Sequence, residues 1–255
     1  MKSTSHKFPK NSASRTIRKA VLLLTFSFAI TANAQWGSKI TGNGNIVSKQ
    51  IKTSDYDKVE VSGFFDVDLV SGKEGNISLS GEENILEHVV VEVVQNTLKI
   101  YIQKGLNLRP SKGKKLLITV PFESLDAVSL SGSGDVNTKN AIKTKQFEAR
   151  LTGSGDVKID VVADAVTATL TGSGDLVLKG KTQNFECNIT GSGDLTAFEL
   201  SSNNVVAGLS GSGNCKVYCS GNLHARVSGS GDIDYKGDPK KKDTKVSGSG
   251  TITKA

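Results

Sequence analysis

The chain has 255 residues, 27 of them glycine and only 5% aromatic, a composition that favours strands and tight turns over long helices. Its formal net charge of +7 is carried by a basic leader: taking Lys2, Lys7, Lys10, Arg15, Arg18 and Lys19 from the 32 basic residues leaves 26 against 25 acidic ones. The remainder therefore has no long-range field to draw nucleic acid or anionic lipid, and its two histidines, His88 and His224, sit in no nucleophile or metal motif, so an enzyme is not expected.

The chain opens in the order of a secretory leader. The six basic residues precede an apolar stretch, Ala20 to Ile30, and Ala32-Asn33-Ala34 supplies a small-x-small cleavage pattern before Gln35. That stretch is about half of the roughly 20 apolar residues a bilayer-spanning helix needs. Residues 1–34 are thus read as a cleaved signal peptide and residues 35–255 as one domain that does not span the membrane. No cysteine follows the cleavage site to be acylated.

Residues 35–121 are irregular but share a grammar with residues 122–255. Gly42-Asn43-Gly44-Asn45 resembles a glycine turn, and Val59 to Val67 runs strand, turn, acidic residue. Val89 to Val94 and Leu98 to Ile102 read as strands, with a hairpin-like section over Glu92 to Ile118. We expect atypical coils here, because terminal repeats cap a solenoid core. One of Phe64 and Phe65 is expected to be exposed, since adjacent strand residues face opposite ways unless a turn intervenes.

Residues 122–255 repeat. Gly-Ser-Gly-Asp or a close variant begins at Gly132, Gly153, Gly172, Gly191, Gly211, Gly229 and Gly248, at spacings of 21, 19, 19, 20, 18 and 19 residues. Two places before each first glycine stand Leu130, Leu151, Leu170, Ile189, Leu209, Val227 and Val246. Four places before come Val128, Ala149, Ala168, Cys187, Ala207, Ala225 and Thr244; four places after come Val136, Val157, Leu176, Leu195, Cys215, Ile233 and Ile252. Apolar residues alternate with polar ones such as Arg150, Thr169, Asn188, Arg226 and Lys245, the period of strands with one buried face. One such coil cannot bury its own apolar face. Coils stacked about 4.8 Å apart can, which predicts an all-β, right-handed parallel β-helix. The glycines suit corners that need positive φ or close approach of the next coil. The Ser or Thr before each one is placed to hydrogen-bond locally.

Asp135, Asp156, Asp175, Asp194, Asn214 and Asp232 form a turn row, the candidate ligand-binding residues. Calcium takes carboxylates and carbonyls, but two unit charges about 5 Å apart in water repel by only roughly 0.8 kcal/mol. The row therefore needs no metal if each carboxylate accepts N–H bonds at its turn, and no cofactor is expected. Cys187 and Cys215 occupy inward rows and read as small core residues; a straight strand keeps Cys215 and Cys219 about 13 Å apart, so a bridge between them requires a turn near Tyr218. Asp238-Pro239-Lys240-Lys241-Lys242-Asp243 reads as protection of the terminal edge.

The Ser/Thr-Gly-Ser-Gly-Asp turns after Leu130, Leu151, Leu170 and Ile189, and the opening block Asp55 to Val67 with Gly81-Glu82-Glu83-Asn84 and Asn96-Thr97-Leu98-Lys99-Ile100, are similar to those of the family described as "putative auto-transporter adhesin, head GIN domain". The resemblance runs from about Gly42 to the end and implies an exported bacterial β-helix of the Bacteroidetes type. A translocator barrel of amphipathic strands is not expected after Gly248, where Thr251-Ile252-Thr253-Lys254-Ala255 closes the chain. The expected function is non-enzymatic binding of a glycan or cell-envelope surface, in the periplasm or at the surface of a Gram-negative cell. An envelope scaffold is the alternative. A polysaccharide hydrolase or lyase would need paired acids roughly 5–10 Å apart.

Overall fold

Stacking is visible in the register of the long strands of the computed structural model, which describes residues 38–255; the expected signal peptide lies outside them. Asp156–Gly172, Asp175–Gly191 and Leu195–Gly211 pair in parallel, with Leu170 beside Ile189 and Gly172 beside Gly191. The same register, glycine on glycine, links Gly63, Gly132, Gly153, Gly172, Gly191, Gly211, Gly229 and Gly248. The result is an all-β solenoid of about 7 turns. Its inward rows close into one core: Leu130, Leu151, Leu170, Ile189, Leu209 and Val227 are at most 3% exposed. Each such side chain contributes about 1.5–3 kcal/mol by leaving water.

The unequal spacings have local consequences. The 20-residue step to Gly211 shifts the register between Val177 and Lys179, where Thr196 and Glu199 are their partners and one extra residue bulges. The 18-residue step to Gly229 interrupts the wall between Cys215–Tyr218 and Asn222–Gly229, and the 21-residue step to Gly153 breaks it around Ile142–Lys143.

The N-terminal part does not stack in chain order. Lys58–Gly63 and Asp66–Ser71 form a coil under Ala127–Gly132 and Asp135–Thr138. Its other side is covered by residues from later in the chain, Thr97–Ile102 and Leu117–Phe122. Three antiparallel pairings complete this end: Ile46–Lys52 with Asn76–Glu82, Ser78 to Ser80 with Leu117 to Thr119, and Val89–Val94 with Thr97–Ile102. The hairpin therefore starts earlier than Glu92 and turns at Gln95 and Asn96, both at positive φ. Ser38–Thr41 and Leu106–Arg109 make a separate two-stranded parallel sheet. Gly42 to Asn45 is no stacked corner: it wraps the carboxylate of Glu82, which is 2% exposed and accepts from Gly44 N at 2.6 Å, Ser111 N at 2.8 Å and Ser111 Oγ at 2.6 Å. An end coil leaves its ladder groups unpaired, and the antiparallel strands meet that need.

Phe65 is fully buried and Phe64 half-buried, their ring centroids 5.3 Å apart. At the other end no strand among the described residues pairs with the outer edge of Lys241–Gly248, and the inward-row Val246 is 40% exposed.

Candidate binding surface

The corner geometry dictates its composition. A Cβ on Gly153, where φ is +126°, would lie 2.2 Å from the carbonyl oxygen of Gly132, and a Cβ on Gly155 would lie 2.1 Å from that of Gly134. The first glycine of each corner answers both the φ and the close approach; the second answers only the approach.

Between and before these glycines run two files of hydroxyls. Ser131, Thr152, Thr171, Thr190, Ser210, Ser228 and Ser247 stand in register and are all exposed, as are Ser133, Ser154, Ser173, Ser192, Ser212, Ser230 and Ser249. Local hydrogen bonding by the first file, expected from the sequence, does not occur: those hydroxyls face solvent without a protein partner among the described residues. The backbone explains this, because the N–H groups after each corner glycine already bond to the previous coil, Ser154 N to Gly132 O at 2.9 Å and Gly155 N to Gly132 O at 3.1 Å.

The Asp row lies beside the files. It extends one member further than Asp135 to Asp232, because Asp66 pairs with Asp135 in register. Asp135 and Asp156 donate their N–H groups to carbonyls of the coil below, Phe65 O at 3.1 Å and Gly134 O at 3.2 Å. At Asp194, Asn214 and Thr251 the N–H group bonds to a carboxylate of the coil below. Asp175 Oδ1 accepts Asp194 N at 3.4 Å, Asp194 Oδ1 accepts Asn214 N at 2.7 Å, and Asp232 Oδ1 accepts Thr251 N at 2.7 Å. The carboxylates of Asp175, Asp194 and Asp232 thus serve the next coil's backbone and not their own turn. Lys115 Nζ sits 2.7 Å from Asp66 Oδ2, and this bond, with the charges of Asp66 and Asp135, pushes the ammonium's pKa up. Among the described residues no three His, Cys, Asp or Glu side chains are grouped to hold a metal ion.

All three cysteines are buried and free. The neighbour of Cys215 is Cys187, Sγ to Sγ 3.6 Å, a juxtaposition across a corner that no spacing in the sequence indicates. The hydrogen bond to Cys215 and burial both push the Cys187 thiol well up. Cys219 instead bonds to the carbonyls of Asn203 and Asn222, each at 3.3 Å. His224 is exposed; its Nδ1 lies 2.9 Å from Asp243 Oδ2, which Arg226 also engages at 2.6 Å.

Fold and surface together define a class: a parallel β-solenoid that presents one set of polar groups again and again along an edge. Residues 55–239 match the family model described as "Putative auto-transporter adhesin, head GIN domain", and the chain belongs to that family. A "putative adhesin" of Bacteroides fragilis has the same fold, with a TM-score of 0.78 and 26% identity over 85% of this chain and 100% of that one. A "putative lipid binding protein" of Parabacteroides distasonis aligns with a TM-score of 0.68 and 27% identity over 86% and 100% of the two chains. A second Parabacteroides distasonis structure, a "putative adhesin", shares the fold at 22% identity and a TM-score of 0.67 over 86% and 100%. No curated protein matched. Among the described residues no helix is long and apolar enough to cross a membrane.

Proposed function

We propose that the protein is an exported, non-enzymatic binding module that recognises a polysaccharide of the cell envelope or of a neighbouring surface, acting in the periplasm or outside a Gram-negative cell after cleavage of residues 1–34. The observation that carries this reading is the pair of solvent-facing hydroxyl files, Ser131 to Ser247 and Ser133 to Ser249. Rungs about 4.8 Å apart offer a chain of donors and acceptors on a backbone already ordered before binding, the condition under which individually weak hydrogen bonds add up. The Asp row supplies acceptors beside them.

The lipid-binding description of one relative fits this chain less well. Its large exposed apolar residues, Ile46, Val94, Leu117, Val162, Val206 and Val246, are scattered over different strands. The test is a polysaccharide array probed with the purified protein in calcium and again in chelator. We expect calcium-independent hits that disappear when Thr152, Thr171 and Thr190 are replaced by valine. Hits only in calcium would make the Asp row a metal-assisted site, and a blank array in both conditions would favour an envelope scaffold.

A further inference from the structure

One row on the outward face beside the corners is interrupted. Arg150, Thr169, Asn188, Gly208, Arg226 and Lys245 stand in register, and Gly208 alone of these has no side chain. The fold does not ask for glycine there. A Cβ on Gly208 would meet only the amide end of Asn188, Oδ1 at 2.7 Å, with the nearest backbone atom, Cys187 O, at 3.9 Å. Corner glycines from Gly132 to Gly250, by contrast, face a fixed carbonyl at 1.9–2.3 Å.

The gap opens into a shallow groove of about 350 Å³ that runs across the row from Asn188 to Lys245. Asn188 and Lys245 mark its ends along the solenoid, three rungs or roughly 14–15 Å apart, with Gly208 and Arg226 between them, and Thr190, Ser210 and Ser228 line it on the corner side. Over Gly208 itself the missing side chain leaves Asn188 and Arg226 as neighbours two rungs or roughly 9–10 Å apart, a span comparable with a six-membered sugar ring and its hydroxyls. Val206, 46% exposed, precedes Gly208 by two residues on the same face and offers an apolar surface to the ring's C–H groups.

The charges around it are polarised. At one end Glu186 Oε1 accepts from Asn188 Nδ2 at 3.3 Å. At the other, Arg226 donates through Nη2 to the Asp243 carboxylate and through Nη1 to the carbonyls of Ala225 and Asp243, which leaves Nε and one N–H of Nη2, while Lys245 has no ion-pair partner among the described residues.

We propose that this notch is a subsite for an acidic sugar, its carboxylate held by Lys245 and the free N–H groups of Arg226, and its hydroxyls by Asn188, Thr190 and Ser210. This rests on the polysaccharide-binding reading and narrows it to glycans containing uronic acid. The test compares oligogalacturonate with its carboxyl-reduced, neutral counterpart by calorimetry, using the wild-type protein, Gly208→Thr, Lys245→Glu and, in the same row, Thr169→Val. The expected result is that Gly208→Thr and Lys245→Glu each weaken oligogalacturonate binding by about tenfold or more. Thr169→Val binds as the wild type, all three variants melt with the wild type, and the neutral oligomer binds wild type at least about tenfold more weakly. Equal binding of the two oligomers, or undiminished binding by Gly208→Thr, would overturn the notch while leaving polysaccharide recognition standing. Failure of every glycan on the array would remove both.

Discussion

Single residues divide into those the stack requires and those it tolerates. Gly153 belongs to the first group: a methyl there collides with the Gly132 carbonyl and is held at a φ that disfavours any side chain. Gly153→Ala should cost more than about 3 kcal/mol, read as a lowered urea midpoint, because the backbone of two coils must separate to admit it. Glu82 belongs there for a different reason. Burial pushes its pKa up, but the hydrogen bonds from Ser111 and Gly44, with Lys114 nearby, more than offset this and hold it below the usual value. A depressed folded pKa means the carboxylate's contribution is present above the unfolded value, about 4.3, and is lost as pH falls through the folded one. Glu82→Gln should therefore lower stability by about 1–3 kcal/mol at neutral pH, and the gap between variant and wild type should close on acidification. A gap independent of pH in denaturation curves would contradict this assignment. In the sequence Glu82 is only part of a family-like block; nothing in its spacing announces that Gly42 to Asn45 and Ser111 converge on it.

Secondary-structure elements are legible wherever a neighbour of like sequence stands beside them. The coils from Gly132 to Gly248 and the strand order of Val59 to Val67 follow from period 2 and the glycine spacing, whereas the structure alone shows that the extra residue of the 20-residue step is taken up as a bulge near Thr196. The N-terminal cap is not legible. Thr97–Ile102 and Leu117–Phe122 carry no mark that they lie beneath Lys58–Ser71 and not above it, since apolar alternation tells which face is buried and not which strand is the partner. At the opposite end Lys241–Gly248 exposes a parallel edge with Val246 uncovered, guarded by Lys240, Lys241 and Lys242. Replacing the three lysines by threonine should promote end-to-end association, seen as larger species in analytical ultracentrifugation at concentrations where the wild type sediments unchanged.

At the scale of the whole molecule the solenoid is a sum of similar neighbour interactions, so its stability should respond to the number of coils more than to their identity. Removing residues 154–172, one complete corner-to-corner step that joins Gly153 to Ser173, keeps every inward row in phase. The shortened protein should fold with an unchanged strand signature in circular dichroism and a modestly lower melting temperature. Removing half that length should abolish cooperative melting, because the apolar rows would then face solvent.

By itself the sequence determined the coil, the buried rows, the corners and the family, because those properties depend on alternation and on steric demands repeated at a fixed interval. Only the tertiary structure decided how the N-terminal strands cap the stack, which carboxylates are spent on the next coil's backbone, and that Cys187 meets Cys215. It alone showed that Gly208 opens a notch the fold does not need. These depend on which groups meet across coils and at the ends, where pairing is set by unsatisfied backbone groups and close approach, and no local pattern along the chain encodes them.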